Sequence, residues 1–438
     1  MKLTYGIKDK PGFFKTLAFA LQQLLAIMAA TIAVPAIIGN GMSPTAALFG
    51  AGVGTLVYLL FTKFRSPVFL GSSFAFLGSM SAAFAGAASL EIGYAGLVIG
   101  AAIAGLVYVV IAAIVKVAGV KWIDKLMPAV VIGPTVAIIG LSLAGNAVGD
   151  LTGNGGMGTS TYVSIICGLV TLLVTVLCSV YGKKMMKMIP FIIGILAGYA
   201  VAVCFTLIGA KTGNDALRVI NFSIFSSMSW IPDFTFLKAA KGLSGVTGTY
   251  LATVAVAYAP VAFVVFAEHI ADHKNLSTIV GVDLLKDPGL HRTLLGDGVG
   301  SFAGSVFGGC PNTTYGESIG CVAISGNASV ITILCTSVLA MVISFFGPFA
   351  AFLASIPSCV MGGVCIALYG FIAVSGLKML QSVDLNDNRN LFTASVILIA
   401  GVGGMTVSFG AVTLTEVATA LILGIVTNLI LSGKKAKK

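Results

Sequence analysis

Four acidic residues stand out in this chain of 438 residues because each lies in or beside an apolar stretch: Glu268, Asp272, Asp297 and Glu317. Glu268 and Asp272 are four residues apart, so a helix would place both carboxylates on one face. An acid on a membrane helix costs about 2.5–3.5 kcal/mol, which makes such residues candidates for function. Burial also disfavours the charged form of a carboxyl group, and we therefore expect that Glu268 can bind a proton.

The other titratable residues are less informative. Asp272 lies near the end of its stretch, where it would serve coupling or gating or would simply be solvated. Asp297, between two glycines, would either hydrogen-bond a neighbouring helix or join the proton path, and Glu416 is expected to be interfacial. The three histidines match no zinc-binding spacing, and the eight cysteines all fall in or at the edge of apolar stretches. We therefore expect neither a metal site nor a disulfide framework.

The composition places these acids in a membrane protein. Hydrophobic residues make up 58% of the chain, charged residues only 9%, and the mean hydropathy is +1.05. This excludes a soluble protein, whose surface needs about 25% charged residues. The net charge of +10 comes from scattered basic residues without a stripe or interleaved aromatics, so no nucleic-acid partner is expected. The chain is predicted to be an all-α polytopic membrane protein.

The apolar stretches predict fourteen membrane segments, numbered 1 to 14 in chain order: 16–38, 44–61, 68–87, 94–115, 126–148, 162–180, 189–208, 250–271, 293–309, 310–324, 330–353, 360–376, 391–407 and 411–431. With both termini on one side, 21 of the 25 lysines and arginines fall on that side. The other four are Lys211, Arg218, Lys238 and Lys241, in the longest loop. Basic residues favour the cytoplasm, so both termini are predicted to be cytoplasmic.

Segments 3 and 10 are interrupted. Segment 3 contains a short β-prone run with Gly and Ser at 68–76, and segment 10 opens with the polar run 310–317. They are seven segments apart, as two copies of a seven-segment unit would give, and an odd-numbered unit repeated once must be inverted. Interrupted segments at matching positions indicate a transporter binding site. Irregular backbone at this depth must line a cavity or be buried in protein, which predicts a cavity between segments 3 and 10.

The expected ligand follows from the groups that would face this cavity. Helices that begin just after Phe74 and Tyr315 would point free N–H groups into it, and these can donate to carbonyl oxygens. The carboxylates would accept from N–H groups. A planar cyclic ureide or imide offers both along its edge, and either aromatic ring could pack on its face. No Arg or Lys lies in the nearby segments, which argues against an anionic substrate.

At these residues the chain resembles the nucleobase–ascorbate transporter family, specifically its bacterial uracil permease branch. The matching runs are Gly71-Ser72-Ser73-Phe74-Ala75-Phe76, Ala267-Glu268-His269, Asp287-Pro288-Gly289-Leu290-His291-Arg292, Pro311-Asn312-Thr313-Thr314-Tyr315-Gly316-Glu317 and Met361-Gly362-Gly363-Val364. The resemblance implies two inverted seven-segment repeats with short β-strands in segments 3 and 10. It also implies a core domain at 16–115 and 250–353 and a gate domain at 126–208 and 360–431.

The resemblance further implies roles for individual residues. Glu268 and Glu317 would hydrogen-bond the pyrimidine ring, and the backbone amides of Phe74 and Gly316 would meet its carbonyls. The remaining substrate-binding residues implied by the resemblance are Tyr315, Ala30 and Ser73, with Tyr369 as the gate-domain aromatic. Glu268, Asp272 and Asp297 would couple transport to protons.

One position departs from the family pattern. Uracil carriers have a histidine four residues after the first glutamate, whereas this chain has Asp272, as purine-type relatives often do. Glu317 points the other way, because purine carriers commonly have Gln there. The proton path, and to a lesser degree the substrate, therefore stay open at this stage.

The predicted function is secondary active transport of uracil with a proton across the bacterial cytoplasmic membrane. A xanthine or urate carrier is the first alternative, and a carrier of anions such as sulfate or bicarbonate is the second. An intramembrane aspartyl protease using Asp272 and Asp297 is a remote third, because its Gly-x-Gly-Asp signature is missing. The expected partners are a nucleobase and the lipid bilayer, with a homodimer left open. No cofactor is expected besides the coupling ion, a proton or else sodium.

Overall fold

The chain folds into a bundle of apolar helices interrupted by short strands. The structure is a computed structural model that describes residues 3–153, 158–183, 185–409 and 412–432. The first half contains β1 (Leu70–Ser72), a 3-10 turn at Phe74–Phe76 and ten helices: α1 Phe13–Ile38, α2 Pro44–Phe61, α3 Leu77–Ala85, α4 Leu90–Ala118, α5 Lys121–Leu126, α6 Ala129–Ser142, α7 Ala144–Thr152, α8 Thr161–Tyr181, α9 Met185–Met188 and α10 Pro190–Thr212.

The second half adds three strands and nine helices. The strands are β2 (Asn312–Thr314), β3 (Val407–Phe409) and β4 (Val412–Leu414). The helices are α11 Thr235–Gly242, α12 Gly248–Val280, α13 Leu290–Gly308, α14 Gly316–Ser325, α15 Val330–Ile343, α16 Gly347–Ser355, α17 Ser358–Leu380, α18 Asn388–Val402 and α19 Glu416–Ser432.

By length and composition, eight helices among the described residues can cross a membrane: α1, α2, α4, α6 with α7, α8, α10, α12 and α17. They correspond to predicted segments 1, 2, 4, 5, 6, 7, 8 and 12. Of the other predicted segments, segment 9 contains the 19-residue helix α13, which is not apolar enough to be counted, and the rest contain shorter helices or a bent pair. The start of segment 14 at residue 411, and Lys2, Lys184 and the four C-terminal lysines used for orientation, lie outside the described residues.

In three places the observed helices differ from the predicted segments. Segment 11 is not continuous, because α15 and α16 meet at 84° across the break at 344–346. Segment 13 ends as a helix at Val402 and is followed by the antiparallel pair β3 and β4. Segment 8 continues past residue 271 as α12, which ends only at Val280, where Gly281 adopts a left-handed conformation. Hydropathy could not set this end, since the last two turns of α12 are polar.

The two interrupted segments meet as a small antiparallel sheet. Leu70 pairs with Thr314, Gly71 with Thr313 and Ser72 with Asn312. The pairing extends at both ends, because Ser73 N–H donates to Pro311 O at 2.9 Å and Tyr315 N–H donates to Phe69 O at 3.3 Å. The short strands predicted in segments 3 and 10 are therefore present, and the backbone groups of the two breaks satisfy one another inside the protein.

Small residues bring α2 and α13 close together beneath this sheet. A Cβ atom added to Gly54 would lie 2.7 Å from the carbonyl oxygen of Gly300, so neither helix tolerates a side chain there. Such glycines let helix backbones approach closely within a membrane. The Asn312 amide fills the space next to this crossing and donates to Gly50 O at 3.2 Å, which fixes β2 on α2.

Candidate functional site

A cavity lies where the strand pair meets α6, α12 and α17. It contains about 710 Å³ of space not filled by atoms, part of it open to solvent. Its lining consists of Phe74, Ala75, Val136, Ile139, Glu268, Ala271, Asp272, Thr313, Thr314, Tyr315, Gly316, Glu317, Phe371, Ile372, Ser375 and Met379.

Three of the predicted acids line this cavity together. Glu268 and Asp272 project from one face of α12, and Glu317 lies in the first turn of α14. Asp272 accepts a hydrogen bond from the hydroxyl of Thr314 at 2.7 Å. The carboxylate of Glu268 has no hydrogen-bond or ion-pair partner among the described residues, so it is available to a ligand.

The broken segments present helix N-termini to the same cavity. α14 begins at Gly316, directly after the strand, and its first turn has N–H groups without intrahelical acceptors. On the other segment, a 3-10 turn begins at Phe74 and leads into α3. Helices therefore start at the two predicted positions, and both Phe74 and Gly316 line the cavity. The arrangement combines acceptors on the acids with donors at the helix ends.

Two aromatic residues are fixed at the cavity wall. Tyr315 donates its hydroxyl proton to Ser72 O at 2.8 Å, so its ring lies against β1 with Gly71 beneath it. The ring of Phe74 meets the edge of Tyr369 on α17, with centroids 5.7 Å apart and an interplanar angle of 80°. Tyr369 is buried and does not line the cavity; it contacts Phe74, which does.

The other predicted site residues lie behind the cavity wall. Ala30 and Ser73 are each 1% exposed and are not part of the lining. The hydroxyls of Ser73 and of the lining residue Thr313 have no hydrogen-bond partner within the described part of the chain. Asp297 is likewise 1% exposed and outside the lining, so the structure does not bring it together with Asp272 at one open site.

Asp297 instead pairs with a histidine. Its Oδ2 lies 2.8 Å from Nδ1 of His269, and the Nε2 of His269 is 3.0 Å from the hydroxyl of Thr293. An ionised carboxylate only accepts, so in that state Nδ1 of His269 donates to Asp297, while the hydroxyl of Thr293 also donates to Leu290 O at 3.1 Å. The second carboxylate oxygen of Asp297 has no partner among the described residues.

A second histidine extends this buried polar cluster. His273 stacks on His269 with ring centroids 4.0 Å apart, and its Nδ1 donates to His269 O at 2.9 Å. Its Nε2 lies 2.7 Å from the hydroxyl of Tyr58, which also donates to the Ser66 hydroxyl at 2.7 Å. The cluster joins α12 to α2 and α13 directly behind the cavity acids, so it holds the backbone that carries them.

Sequence reasoning missed three residues of this site. His269 enters the sequence analysis only in a matching run and as a rejected zinc ligand, Thr314 enters only in a matching run, and Gln23 is not predicted at all. Gln23 lies on α1, and its amide donates to the Ser318 hydroxyl, which in turn accepts from Phe69 N–H at 3.0 Å. Two consecutive glutamines within an apolar segment were the available signal, because an amide in lipid needs a partner.

The cavity is acidic. Three carboxylates line it, and none of the described lining residues is Lys or Arg. An anion would therefore meet repulsion without a compensating charge. A cavity between two broken segments inside an apolar helical bundle is the architecture of a membrane carrier, and its polarity favours a neutral ligand with N–H donors.

Comparison with known proteins places the chain in a family. The model of the "Permease family" matches residues 14–409. The uracil permease of Bacillus caldolyticus is 40% identical over 438 residues, covering 99% of this chain and 96% of the relative. The uracil permease of Bacillus subtilis (strain 168) is 38% identical over 447 residues, covering 100% and 97%. The chain belongs to this permease family, the nucleobase–ascorbate transporters, and is a multi-pass protein of the bacterial plasma membrane.

The fold is shared more widely. The transmembrane domain of a cyanobacterium bicarbonate transporter, BicA, superposes with a TM-score of 0.64, covering 98% of this chain and 100% of that domain. Its sequence identity is 16%, so the likeness concerns the fold alone. The three acids that line the cavity therefore have to be interpreted from this chain's own sequence and structure.

Proposed function

We propose that this protein imports uracil together with a proton by alternating access. The observation that carries the proposal is the cavity that Glu268 of α12 lines together with Glu317 and the N-terminal end of α14. The two relatives named uracil permease support the substrate. The ring is held at its edge by the acids, and movement of one helical domain against the other exposes it to either side.

The groups of the cavity complement uracil one by one. Its N–H groups donate to the carboxylates of Glu268 and Glu317, and its carbonyls accept from the backbone N–H groups of Phe74 and Gly316. Tyr315 closes one wall, since its hydroxyl is already bonded to Ser72 O. Ala30 and Ser73 back that wall from inside the protein, and Tyr369 acts from the gate side through the ring of Phe74.

Proton coupling uses the acids on and behind α12. Among the described residues Glu268 has no hydrogen-bond or ion-pair partner, so it takes up the proton that accompanies the substrate. Asp272 lies on the same face of α12 and takes part in the proton transfer, and the hydrogen bond from Thr314 holds its carboxylate in place. Asp297 contributes from the second layer, because its bond to His269 reaches the residue next to Glu268 in the chain.

The wider architecture that we propose has fourteen segments in two inverted repeats, with both termini cytoplasmic. The core domain comprises 16–115 and 250–353, and the gate domain comprises 126–208 and 360–431. The antiparallel pairing of β1 with β2 supports the inverted relation of the repeats. The cavity supports the division into domains, because α12 and α14 form one wall while α6 and α17 form the opposite one. Association into a homodimer belongs to the same proposal.

Uptake into proteoliposomes tests the proposal. Wild-type protein should accumulate radiolabelled uracil in a saturable way, whereas Glu268→Gln and Glu317→Ala should each abolish saturable uptake. Asp215→Asn, an exposed acid of the long loop, is the matched control and should behave as wild type. Wild-type uptake by either cavity variant would remove the site assignment.

The driving ion is tested in the same vesicles. Uptake should collapse when a protonophore dissipates the proton gradient, and it should be indifferent to an imposed sodium gradient. Uptake sustained by sodium alone would replace the coupling ion.

One observation favours a purine instead, namely that Asp272 lines the cavity where the family's uracil carriers have histidine. Competition distinguishes the two substrates. Unlabelled xanthine, hypoxanthine and urate should each leave labelled uracil uptake unchanged at concentrations where unlabelled uracil suppresses it. Stronger competition by a purine than by uracil would reassign the substrate.

A further inference from the structure

A second cavity adjoins the substrate cavity at the end of the bundle where α6 begins and α17 ends. It has about 280 Å³ of space that small molecules can enter, whereas one water molecule occupies about 30 Å³ of liquid, so it is larger than a single-water site. Ala271 and Met379 line both cavities. The other lining residues are Met127, Pro128, Ala129, Ile132, Ala267, Ile270 and Lys274. Eight of the nine lining residues are apolar, and we call this space the Lys274 cavity.

One charged group lines the Lys274 cavity among the described residues. Lys274 lies in the last two turns of α12, its side chain is exposed, and its ammonium group has no hydrogen-bond or ion-pair partner in the described part of the chain. None of the described lining residues is Asp or Glu, so they supply no counter-charge. A lysine near a helix end ordinarily lays its methylene stem on apolar surface and keeps the ammonium group in water. That arrangement requires no open apolar space beside the lysine, so the cavity itself needs an explanation.

Two further lysines come to the same end of the bundle. Lys378 lies in the last turn of α17, next to the lining residue Met379, and Lys125 lies in the last turn of α5, two residues before the lining residue Met127. Both side chains are exposed. Basic pockets between membrane helices bind the headgroups of anionic lipids. The elements around the cavity therefore favour an anion at its opening.

A tryptophan indicates how deep in the membrane this opening lies. Trp122 of α5 stacks on Phe266 of α12, with ring centroids 6.4 Å apart and an interplanar angle of 16°. Its indole N–H is shielded from solvent and has no hydrogen-bond partner among the described residues. Tryptophan is enriched where hydrocarbon meets the headgroups. The cavity thus has its apolar wall on the hydrocarbon side of this boundary and its lysines on the headgroup side.

We infer that the Lys274 cavity binds a phospholipid with an anionic headgroup. Part of one acyl chain would lie between α12 on one side and α6 and α17 on the other, and the headgroup would meet Lys274 together with Lys125 and Lys378. The apolar wall disfavours a free anion, since only a chain removes that wall from water. An uncharged lipid would use the wall but not the lysines. The inference needs only that the chain spans a membrane, so it goes beyond the proposed function and does not depend on the substrate.

Lipid titration of the purified protein tests the inference. Phosphatidylglycerol and phosphatidylcholine are added to protein in detergent, and binding is followed as a saturable rise in melting temperature. Phosphatidylglycerol should bind wild type about tenfold more tightly than phosphatidylcholine. Lys274→Gln should weaken phosphatidylglycerol binding at least about fivefold and leave phosphatidylcholine binding unchanged. Lys274→Arg keeps the charge and should keep the preference.

The matched control is Lys116→Gln. Lys116 is also exposed and also lies in the last turn of a long membrane helix, α4, but it does not line the cavity. Both lipids should bind this variant as they bind wild type. A reduced preference in Lys116→Gln equal to that in Lys274→Gln would mean that total surface charge decides the preference, and the inference would fall.

A steric variant tests the apolar half of the site without changing a charge. Ala129 is the first residue of α6 and lines the Lys274 cavity but not the substrate cavity. Ala129→Phe should fill the space of the acyl chain and weaken phosphatidylglycerol binding at least about tenfold. A cooperative melting transition shows that the variant is folded. Unchanged phosphatidylglycerol binding by folded Ala129→Phe would place the lipid outside the cavity.

The remaining outcomes identify other occupants. Equal binding of the two lipids to wild type would indicate ordinary boundary lipid. Inorganic phosphate that stabilises wild type as much as phosphatidylglycerol does, with the effect lost in Lys274→Gln, would indicate a free anion. Weaker uracil binding by Lys274→Gln with unchanged lipid binding would assign the lysine to the route of the nucleobase. Each of these results overturns the inference, whereas absence of uracil uptake by wild type overturns only the proposed function.

Discussion

Nδ1 of His269 lies 2.8 Å from Oδ2 of Asp297, and neither side chain is more than 1% exposed. The pair links α12 to α13 one residue away from Glu268, the acid proposed to bind the substrate. A buried carboxylate with one bonded and one unbonded oxygen must be balanced either by the histidine or by a proton of its own. The packing of α12 on α13 next to Glu268 therefore depends on the protonation of the His269–Asp297 pair.

Asp297→Asn tests whether this pair takes part in coupling. The amide oxygen can still accept from Nδ1 of His269, so the variant should fold and should bind uracil within about threefold of wild type. Because the amide cannot bind and release a proton, gradient-driven uptake should fall at least about tenfold. Binding to purified protein and uptake into proteoliposomes measure the two effects.

The control for this prediction is Asp283→Asn, which changes an exposed acid in the loop after α12 and should leave both readouts unaffected. Gradient-driven uptake by Asp297→Asn at the wild-type rate would show that the pair is only structural. His269→Ala is the complementary change. It leaves the Asp297 carboxylate buried without a partner and should lower the melting temperature as well as uptake.

The hydroxyl of Thr314 offers a second prediction, because it donates to Asp272 Oδ2 at 2.7 Å. Thr314→Val keeps the shape of the side chain and removes the donor. A hydrogen bond to a charged group contributes about 1.5–3 kcal/mol, so uracil uptake should fall at least about tenfold. Thr314→Ser restores the donor and should recover most of the activity. Uptake by Thr314→Val equal to that of wild type would mean that Asp272 needs no support from β2.

Much of this architecture could be predicted from the sequence. The eight long helices follow from hydropathy, and the polar interruptions at 68–76 and 310–317 predict where the chain breaks. Both signals are local, since a segment in lipid must satisfy its own backbone or be sheltered by protein. The same argument brings Glu268 and Glu317 to a common cavity, as the structure has them.

The remaining features depend on pairings that a single sequence does not display. The bond between His269 and Asp297 joins residues 28 apart, and the bond between Gln23 and Ser318 joins residues 295 apart. The bend between α15 and α16 and the pair of β3 with β4 fall in apolar sequence, where hydropathy is blind to backbone conformation.

Two glycines of α14 give a third prediction. A Cβ atom added at Gly316 or at Gly320 meets nothing within 4 Å, so alanine fits sterically at either position. Gly316 lines the cavity and is proposed to offer its N–H to a uracil carbonyl, whereas Gly320 does not line it. Gly316→Ala should therefore weaken uracil binding at least about tenfold, since its methyl group occupies ligand space, while Gly320→Ala binds as wild type. Equal affinities measured by calorimetry would remove Gly316 from the site.

The contact of Phe74 with Tyr369 supports a fourth prediction, because it connects the turn after β1 with α17 across the proposed domain boundary. An edge-to-face aromatic pair contributes about 0.5–1.5 kcal/mol beyond the burial of its area. Tyr369→Phe keeps the ring and with it the aromatic contact, so its rate of uracil uptake should stay within about twofold of wild type. Tyr369→Ala removes the ring and leaves Phe74 without its gate-side neighbour. We expect its uracil Kd to rise about tenfold, equal to about 1.4 kcal/mol.

Uracil binding to purified Tyr369 variants, followed by uptake in proteoliposomes, measures both effects. The exposed Tyr162, at the start of α8, supplies the control as Tyr162→Ala, which should match wild type because its ring lies away from the cavity. If Tyr369→Ala binds uracil as tightly as wild type, Phe74 holds its position without α17. If Tyr369→Phe loses as much uracil affinity as Tyr369→Ala, the hydroxyl and not the ring is the important group. In the described ranges this hydroxyl has no hydrogen-bond partner.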